Sequence, residues 1–570
     1  MPGAVVPDRS PAAVAEAWDD PLGRWADDPA PQDACGVVGV RDRGDDVARL
    51  AVLALATLQH RGQEAAGLAV GDGTTTLVYK ELGLVSQVLD EATVANLAGH
   101  GHVAVAHTRY STTGADTWAN AQPSFHEGAD GRTVALGHNG NLTNTAELAR
   151  RLAELPGRAR GHLFSSAGAT TDSDVVTALL AAGRGPLARR ALDVLPLLHG
   201  AFSLVMTDAE TLLAARDPQG VRPLVLGRLR TAEHDDGSDV RGPGDGWVVA
   251  SESPALDVLG ARLVREVQPG ELLVVDDDGI RGQRWAPAAP ASCVFEYVYL
   301  SRPDSRLGGR GVHASRVEVG RVLAREAPAV ADLVIPVPES GTPAAIGYAE
   351  ASGIPYGQGL VKNSYVGRTF IQPTPALRAR GIRLKLTPLR DVVEGRRLVV
   401  VDDSVVRGST QRALVRMLRE AGAAEVHVRV ASPPVRWPCF YGIDFATRAE
   451  LVAARYAVDE VAELVDADSL AHVSLEGLVE ATRQPPDSFC DACFTGTYPI
   501  DVPDALGKDV LERPAAAAGV PGAGRQEVIA AGVPGAARQG LTGLPSDGAD
   551  PSPDDVDGLA DLPLPGWTAR

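Results

Sequence analysis

The chain has 570 residues, 45% of them apolar, and a formal net charge of −19 at neutral pH. This length and apolar content predict two or three globular domains with substantial cores. The negative charge argues against nonspecific nucleic-acid binding, and the longest largely apolar run, residues 50–58, falls short of the roughly 20 residues that span a bilayer. The first residues also lack a charged region followed by an apolar core, so we expect a cytoplasmic protein with no nucleic-acid or membrane partner.

Residues 1–34 contain six prolines and no sustained hydrophobic period, which predicts a disordered leader, here a propeptide. An ordered pattern begins at Cys35, directly after the small residue Ala34, and we expect the chain to be cut between these two residues. Cleavage would give Cys35 a free α-amine, with a pKa near ~7.7, that can accept the thiol proton. The alternative is a buried structural cysteine, which is the usual fate of an isolated cysteine inside the cell.

Between residues 35 and 272, short strand-like runs alternate with amphipathic helical runs, which predicts layered α and β structure. A Gly- and Asp-rich stretch over 229–246 is typical of an exposed loop. Strands are expected at Gly36–Val40, His102–Ala106, Phe202–Thr207 and Trp247–Ser251, and helices at Val47–Leu58, Ser173–Ala182 and Leu187–Leu198.

Three segments downstream of Cys35 change the interpretation of this cysteine. They read HTRYST at His107–Thr112, GHNGNLTN at Gly137–Asn144 and TDSD at Thr171–Asp174. Taken singly, the first could be surface and the second a hairpin turn. In this order after Cys35 they resemble the N-terminal-nucleophile glutaminase domain, which implies a four-layer αββα fold for residues 35–272.

The resemblance also implies a role for each polar residue of these segments. Arg109 would hold the α-carboxylate of glutamine, and Asp172 its α-ammonium group. Asn139 and the backbone N–H of Gly140 would form the oxyanion hole. These roles suit the chemistry, since a guanidinium pairs with a carboxylate and neutral donors stabilise an oxyanion. Cys35, Asn139 and Gly140 are therefore the expected catalytic residues.

A second unit follows, in which strands and helices alternate from about residue 291 to 483, as in a parallel α/β sheet. Within it, Val399–Thr410 reads VVVDDSVVRGST: an apolar strand that ends in two carboxylates, then a glycine turn that enters a helix. A helix N-terminus binds anions, whereas Asp402 and Asp403 suit hydroxyls or a cation. The segment therefore predicts a sugar phosphate bound with Mg2+. The alternative is an ordinary strand-to-helix turn.

Together with PVPESGTP at Pro336–Pro343, this segment resembles the phosphoribosyltransferases, which implies a type I phosphoribosyltransferase domain over residues 285–500. The acidic pair would then contact the ribose and metal, Ser404–Thr410 the 5-phosphate, and Glu339–Thr342 the pyrophosphate of 5-phosphoribosyl 1-pyrophosphate. The expected ligand residues are Glu339, Ser340, Gly341, Thr342, Lys362, Lys385, Asp402, Asp403, Ser404, Arg407, Gly408, Ser409 and Thr410, with Ser340, Asp402 and Asp403 holding one Mg2+ per subunit.

Lysine is rare in this chain, with four residues against 50 arginines: Lys80, Lys362, Lys385 and Lys508. Two of them lie in the same half as the acidic pair, where a compact ammonium group could meet phosphate oxygens. Each could equally be a chance surface residue. Lys362–Ile371 (KNSYVGRTFI) has the composition of a closing loop, or of a connecting strand and turn.

Four further cysteines are Cys293, Cys439, Cys490 and Cys493. By chemistry alone they could hold zinc, hold an iron-sulfur cluster or be unrelated thiols. Their flanking segments CVFEYVYLSRPDS, PCFYGID and CDACFTGTYP resemble the amidophosphoribosyltransferases that carry a 4Fe-4S cluster. The resemblance implies one structural cluster per subunit, which ties the C-terminal segment to the second unit.

Residues 35–499 as a whole resemble this family in its iron-sulfur, propeptide-processed form. The implied reaction converts glutamine and 5-phosphoribosyl 1-pyrophosphate into 5-phosphoribosylamine, glutamate and pyrophosphate, the first committed step of purine biosynthesis, with ammonia passed internally between two sites. Feedback inhibition by purine nucleotides and a homotetramer follow from the resemblance alone.

Two alternatives remain open at the level of sequence. One is another N-terminal-nucleophile amidotransferase, against which the acidic pair and RGST loop argue. The other is a nonenzymatic regulator of purine genes that binds phosphoribosyl pyrophosphate, which would want a basic DNA-binding element. Residues 511–570 are rich in Ala, Gly and Pro, and are expected to be a disordered tail without function.

Overall fold

The computed structural model describes residues 35–110, 117–128, 130–155, 170–229, 246–363, 383–443, 448–502 and 529–531. The expected leader, the insertion at 230–245, residues 364–371 of the expected closing loop and most of the expected tail lie outside these ranges. Within them, no helix is long and apolar enough to cross a membrane.

The first half of the chain contains two antiparallel sheets. In spatial order, the first consists of β11 (Arg262–Glu266), β9 (Val225–Arg228), β10 (Trp247–Ala250), β1 (Gly36–Arg41), β4 (Val103–Arg109), β2 (Ala65–Gly71), β3 (Thr76–Leu82) and β24 (Ile529–Ala531). The second consists of β13 (Gly279–Arg284), β12 (Glu271–Asp276), β8 (Leu212–Arg216), β7 (Gly200–Thr207), β6 (Thr133–Leu142) and β5 (Ser124–Glu127).

Helices cover the outer face of each sheet. The first sheet packs on α1 (Val47–Thr57), α2 (Val85–Val88), α3 (Glu91–Leu97) and α7 (Pro254–Asp257), and the second on α4 (Thr145–Glu154), α5 (Asp172–Ala182) and α6 (Leu187–Val194). Alternation along β1 shows how this layering arises. Val38 and Val40 pack under the helices, whereas Val37 packs between the sheets against Val205. The expected four-layer αββα fold is confirmed.

A parallel four-stranded sheet forms the second half, in the order β17 (Leu333–Pro336), β20 (Arg397–Asp402), β21 (Glu425–Val430) and β22 (Ser469–His472). One face carries α8 (Val312–Glu326), α9 (Thr342–Ser352) and α14 (Leu475–Thr482), and the other α10 (Arg390–Val393), α11 (Ser409–Glu420), α12 (Val452–Arg455) and α13 (Val458–Leu464). Val399 faces the first set and Val400 the second, so β20 is apolar on both faces, as its sequence predicts.

Short elements complete the chain. Three two-stranded pairs are β14 (Ser292–Cys293) with β23 (Phe489–Cys490), β15 (Arg306–Leu307) with β16 (Arg310–Gly311), and β18 (Leu360–Lys362) with β19 (Leu386–Pro388); α15 spans Ala492–Thr495. β24 lies in the segment expected to be a disordered tail, yet it pairs with β3 at the edge of the first sheet. β13 ends at Arg284, so the second sheet extends beyond residue 272.

Candidate active sites

Cys35 stands directly before β1, which pairs with β4 on one side and β10 on the other. Its side chain is buried; Sγ donates to the carbonyl of Tyr110 at 3.3 Å and lies 3.5 Å from the N–H of that residue. Burial raises the pKa of the Cys35 thiol to about 11, against the opposing effects of the Tyr110 backbone and of Arg109. At neutral pH the thiol is therefore protonated, and a nucleophilic role requires a base.

A small pocket opens in front of Cys35 and brings together residues that are far apart in the sequence. Four of the five predicted glutaminase residues line it: Cys35, Arg109, Gly140 and Asp172. The remaining lining residues are Tyr110, Gln122, His138, Thr171 and Ser173.

Two opposite charges face this cavity. Arg109 ends β4 and is buried, with its Nη1 3.8 Å from Glu64 Oε2. Asp172 begins α5, and its carboxylate accepts the N–H groups of Ser173 at 2.8 Å and Leu142 at 3.0 Å. Burial alone would raise the pKa of Asp172, but the His138 side chain and the two backbone N–H donors outweigh this effect, so the pKa is lowered overall. Asp172 is therefore a charged carboxylate suited to an ammonium group.

Asn139 and Gly140 lie on β6, opposite Ser203 and Phe202 of β7. Asn139 is fully buried, and neither polar atom of its side chain has a hydrogen-bond partner among the described residues. Gly140 has φ of 143°, and a Cβ there would come within 2.0 Å of the Ala201 carbonyl oxygen. Only glycine fits this position, and the spare amide donor beside it suits an oxyanion.

The second candidate site begins where β20 ends. Asp402 and Asp403 are both buried, and an oxygen of Asp402 accepts the N–H of Asp403 at 2.9 Å. Ser404 Oγ donates to Asp403 at 2.5 Å. Burial and the neighbouring carboxylate raise the pKa of Asp402 well above its usual value. Two adjacent buried carboxylates repel each other unless a cation or hydroxyl donors are present.

The loop after the acidic pair has the predicted conformation. Gly408 adopts φ of 87°, in the left-handed region, and α11 starts at Ser409. Thr410 therefore lies in the first turn of the helix, where backbone N–H groups can meet an anion. Arg407, in contrast, forms an ion pair with Glu450.

The expected pyrophosphate residues lie near the same end of the sheet. Thr342 begins α9, and Glu339 Oε2 is 3.5 Å from Nζ of Lys362. Lys362 is on β18 and pairs with Leu386 of β19, so Lys385, the residue just before β19, lies nearby. A second small pocket brings Ser340 and Asp403 together, and is also lined by Tyr297, Val298, Arg316, Val319, Ala344 and Ala431.

The four cysteines outside the glutaminase unit converge. Cys293 lies opposite Cys490 in the β14–β23 pair, and the carbonyl of Cys493 accepts the N–H groups of residues 436 and 437, just before Cys439. Burial raises the pKa of Cys493, and the three other thiols raise it further. No group of three His, Cys, Asp or Glu side chains in the described ranges is arranged to hold a metal ion. The three stretches of chain that carry the four thiols thus meet in the fold.

The structure also contains a buried network of ion pairs that the sequence did not predict. Arg61, from the turn after α1, donates to Glu252 and, at 2.7 Å, to Glu296. Arg222 Nη1 lies 3.3 Å from Glu296, and Arg316 Nη2 donates to the Ser301 carbonyl at 2.7 Å. Since 235 residues separate Arg61 from Glu296, no local pattern marks the pair.

A further feature, also unmarked in the sequence, joins the two halves. Asn141 Nδ2 donates to the carbonyl of Phe440 at 3.0 Å, and Arg222 donates to that of Tyr441 at 2.8 and 2.9 Å. The segment that follows Cys439 therefore rests on the strand that carries Asn139. Burial raises the pKa of the Tyr299 phenol, and the charges of Asp403 and Asp402, and then Tyr110, raise it further.

Comparison with known proteins gives a consistent result. A family model for the glutamine amidotransferase domain matches residues 107–238. The chain is 59% identical over 500 residues to the amidophosphoribosyltransferase of Mycobacterium tuberculosis, covering 86% of this chain and 91% of that protein. It is 43% identical to the Bacillus subtilis amidophosphoribosyltransferase, covering 82% and 94%.

Solved structures agree with these relatives. The glutamine phosphoribosylpyrophosphate amidotransferase from B. subtilis, complexed with ADP and GMP, matches with a TM-score of 0.74 and 40% identity, covering 84% of this chain and 100% of that one. A structure described as the allosteric regulatory enzyme of purine biosynthesis matches with a TM-score of 0.74 and 41% identity, covering 83% and 97%.

Proposed function

The chain belongs to the amidophosphoribosyltransferase family, and from this premise we propose how its residues divide the work of a glutamine-dependent transferase. The enzyme makes 5-phosphoribosylamine from glutamine and 5-phosphoribosyl 1-pyrophosphate, the first step of purine biosynthesis. Family membership favours this activity over the other amidotransferases and over the nonenzymatic regulator. The observation that carries the residue assignment is the convergence of Cys35, Arg109, Gly140 and Asp172 on one cavity.

The first half-reaction releases ammonia. After cleavage of the Ala34–Cys35 bond, the α-amine of Cys35 takes the thiol proton and Sγ attacks the side-chain amide carbon of glutamine. Asn139 Nδ2 and the Gly140 N–H hold the oxyanion that forms. Collapse of this intermediate breaks the C–N bond, the leaving nitrogen takes the proton from the α-ammonium, and ammonia departs. Water then hydrolyses the thioester to glutamate.

Glutamine is oriented by its backbone groups. Arg109 pairs with the α-carboxylate and Asp172 with the α-ammonium, which leaves the side-chain amide toward Cys35. The lowered pKa of Asp172 supports this role, because the carboxylate stays charged wherever glutamine carries its ammonium group.

The second half-reaction takes place at the end of β20. Ammonia attacks C1 of the ribose, and pyrophosphate leaves with the electron pair of the C–O bond. Asp402 and Asp403 contact the ribose hydroxyls, the N-terminus of α11 with Ser404–Thr410 binds the 5-phosphate, and Glu339–Thr342 with Lys362 and Lys385 binds the pyrophosphate.

Two inorganic groups fit the residues present. Ser340, Asp402 and Asp403 would hold one Mg2+, which would supply positive charge to balance the leaving pyrophosphate; the mutual repulsion of the buried carboxylates supports this assignment. Cys293, Cys439, Cys490 and Cys493 would hold one 4Fe-4S cluster, which ties β23 and α15 to β14 and the 436–439 segment. The convergence of four thiols from three separate stretches of chain supports a four-thiolate site.

Ammonia is transferred inside the protein. Tyr299 is partly buried against the core of the second half. Burial, the charges of Asp403 and Asp402, and Tyr110 raise its pKa, so residues of both sites act on it, which supports a route that passes near this side chain. Internal transfer matters because free ammonia would be protonated in water and lost as a nucleophile.

Two properties of the whole protein complete the proposal. Purine nucleotides inhibit the enzyme by feedback, which the complex of a 40% identical relative with ADP and GMP supports. The subunits assemble as a homotetramer.

The first domain covers residues 35–284, up to the end of β13, and the second begins at 285.

Conversion of Cys35 to Ser tests the division of labour. Pyrophosphate release from phosphoribosyl pyrophosphate is measured with glutamine and, separately, with ammonium salt at a pH that supplies free ammonia. Cys35→Ser should abolish the first activity and retain the second. Cys439→Ser is the control, because Cys439 is a proposed cluster ligand outside the glutamine site. This substitution should reduce the iron content of the protein without selectively removing the glutamine-dependent activity. Loss of both activities in Cys35→Ser, or of neither, would contradict the assignment.

Two analytical measurements test the remaining parts. Intact mass should place the N-terminus of the active protein at Cys35; a leader still attached to fully active enzyme would refute processing. Protein purified without oxygen should contain iron and acid-labile sulfide in a ratio near ~4:4 per chain. Zinc in place of iron would contradict the cluster.

A further inference from the structure

Lys80 is buried in the glutaminase domain, although lysine is seldom buried. It lies on β3, and its Nζ donates to the carbonyl of Ala121 at 2.5 Å. Trp118 Nε1 donates in return to the Lys80 carbonyl at 2.9 Å, and the ammonium lies 5.4 Å from the centre of the indole ring. Lys80 thus fastens the 118–123 segment to the sheet at both its side chain and its backbone.

The fastened segment forms a wall of the cavity in front of the nucleophile. Gln122 lines this cavity, accepts the N–H of His138 at 2.8 Å and donates to Ser173 Oγ at 3.0 Å. A Cβ at Gly67 would come within 2.4 Å of the Gln122 carbonyl oxygen, so segment and sheet are in direct contact. A shift of Ala121 would therefore move Gln122 and, through it, both β6 and the start of α5.

The charge of Lys80 also acts on charged and titratable groups of the proposed glutamine site. The charged and titratable groups that influence it or that it influences are Arg109 and His107 on β4 and Asp174 on α5. Burial lowers the pKa of Lys80 to about 8, Asp174 opposes this change, and Arg109 reinforces it. A second cation close to Arg109 adds to the positive potential where the carboxylate of the substrate would bind.

We propose that Lys80 is a positioning residue for glutamine: through the Ala121 carbonyl it holds the 118–123 segment in place, and its ammonium strengthens the attraction of Arg109 for the α-carboxylate. This inference rests on the proposed glutamine site. It also explains why a chain that uses arginine almost throughout has a lysine here, since a compact ammonium fits against the Ala121 carbonyl.

The first test separates binding from chemistry. Lys80→Met should raise KM for glutamine about tenfold at pH 7 and leave kcat within about threefold, because the residue touches no reacting atom. Synthesis with ammonium salt should not change. Glu81→Gln is the matched control and should leave KM unchanged, because Glu81 lies on the same strand and its carboxylate accepts the N–H of its own neighbour Leu82. An unchanged KM in Lys80→Met would overturn the proposal.

The second test uses pH and gives a signature that lost stability alone would not produce. Lys80 is protonated below pH 8 and loses its charge as pH rises through about 8, so kcat/KM for glutamine should fall there in the wild type. This fall in kcat/KM should disappear in Lys80→Met and move to higher pH in Lys80→Arg. If Lys80→Met does not fold, the shift in Lys80→Arg still tests the proposal. A decline that is the same in all three proteins would refute the role. Cys35→Ser, measured in parallel, reports on the glutamine site itself: if it keeps glutamine-dependent activity, the underlying site is wrong whatever Lys80 does.

Discussion

The backbone of Gly442 lies directly against the backbone of Gly140, in the other half of the chain. A Cβ at Gly442 would come 3.0 Å from both Cα and the carbonyl carbon of Gly140, and Gly442 has φ of 103°. The hydrogen bond from Asn141 to Phe440 fixes the same contact from the side. The strand that supplies the proposed oxyanion hole is therefore held by a segment just after a proposed cluster ligand.

Substitution of Gly442 by Ala should impair glutamine use selectively. The added methyl group pushes on Gly140, and a displacement of well under an ångström is enough to spoil oxyanion stabilisation. We expect glutamine-dependent activity to fall about 10- to 100-fold, while ammonia-dependent activity stays close to the wild type. Gly353→Ala is the control, because Gly353 also has positive φ but a Cβ there would meet no atom within 4 Å. Equal losses in both activities of Gly442→Ala would contradict this expectation.

Asp172→Asn should weaken glutamine binding. The amide keeps the shape of the side chain but cannot pair with the α-ammonium of the substrate, so KM should rise about 10- to 100-fold with little change in ammonia-dependent synthesis. Since the pKa of Asp172 is lowered, the wild-type KM should not vary between pH 5 and 7 on account of this group, and its charge is lost only in stronger acid. Asp193→Asn, an exposed residue paired with Arg189, serves as the control. An unchanged KM would remove Asp172 from the site.

Asp402→Asn should make the ligand-free protein more stable and less active. The pKa of Asp402 is raised in the folded state, so keeping this carboxylate charged at neutral pH opposes folding, and the neutral amide removes that cost. We expect a higher melting temperature, a loss of activity, and a smaller stabilisation by Mg2+ with phosphoribosyl pyrophosphate than in the wild type.

Asp332 is the control for the melting-temperature measurement, because its pKa is lowered in the folded state rather than raised. Its pKa is lowered to about 2 by Arg397, so its charge contributes stability at neutral pH that is lost as pH falls toward 2. Asp332→Asn should therefore lower the melting temperature slightly and leave the activity unchanged. A lower melting temperature for Asp402→Asn as well would show that its carboxylate is satisfied within the protein.

Arg61→Met should be strongly destabilising. The substitution leaves Glu252 and Glu296 buried with fewer compensating charges, which typically costs about 3–5 kcal/mol of unfolding free energy. Denaturant-induced unfolding measures this loss. Arg321→Met, which breaks surface pairs with Glu318 and Glu350, should cost no more than about 1 kcal/mol. Similar losses for the two variants would mean that the buried network contributes no more than a surface pair.

The parts of the fold and sites that could be predicted are those carried by consecutive residues. β20, the acidic pair and Gly408 lie within twelve residues, so apolar alternation, charge and a glycine turn suffice to place them together. Cys35 could be proposed as the nucleophile because it stands where an ordered pattern begins and precedes three segments that resemble a glutaminase domain. The αββα arrangement required the resemblance to a family, since strand periodicity does not determine which sheets stack.

What could not be predicted depends on pairs distant in sequence. Nothing around Arg61 indicates that it meets Glu296, and a glycine such as Gly442 looks like any turn residue until Gly140 is seen beside it. The rarity of lysine drew attention to Lys80, but its acceptor is a backbone carbonyl, which has no sequence signature.

The position of Cys35 has a consequence for redesign. No residue separates it from β1, and Val38 is paired with Ala106 on one side and Ala250 on the other. The position of Cys35 is therefore fixed by a central strand rather than by a loop. A shift of β1 along its axis would break its hydrogen bonds to both β4 and β10. Attempts to widen the range of amide donors should therefore leave this neighbourhood unaltered.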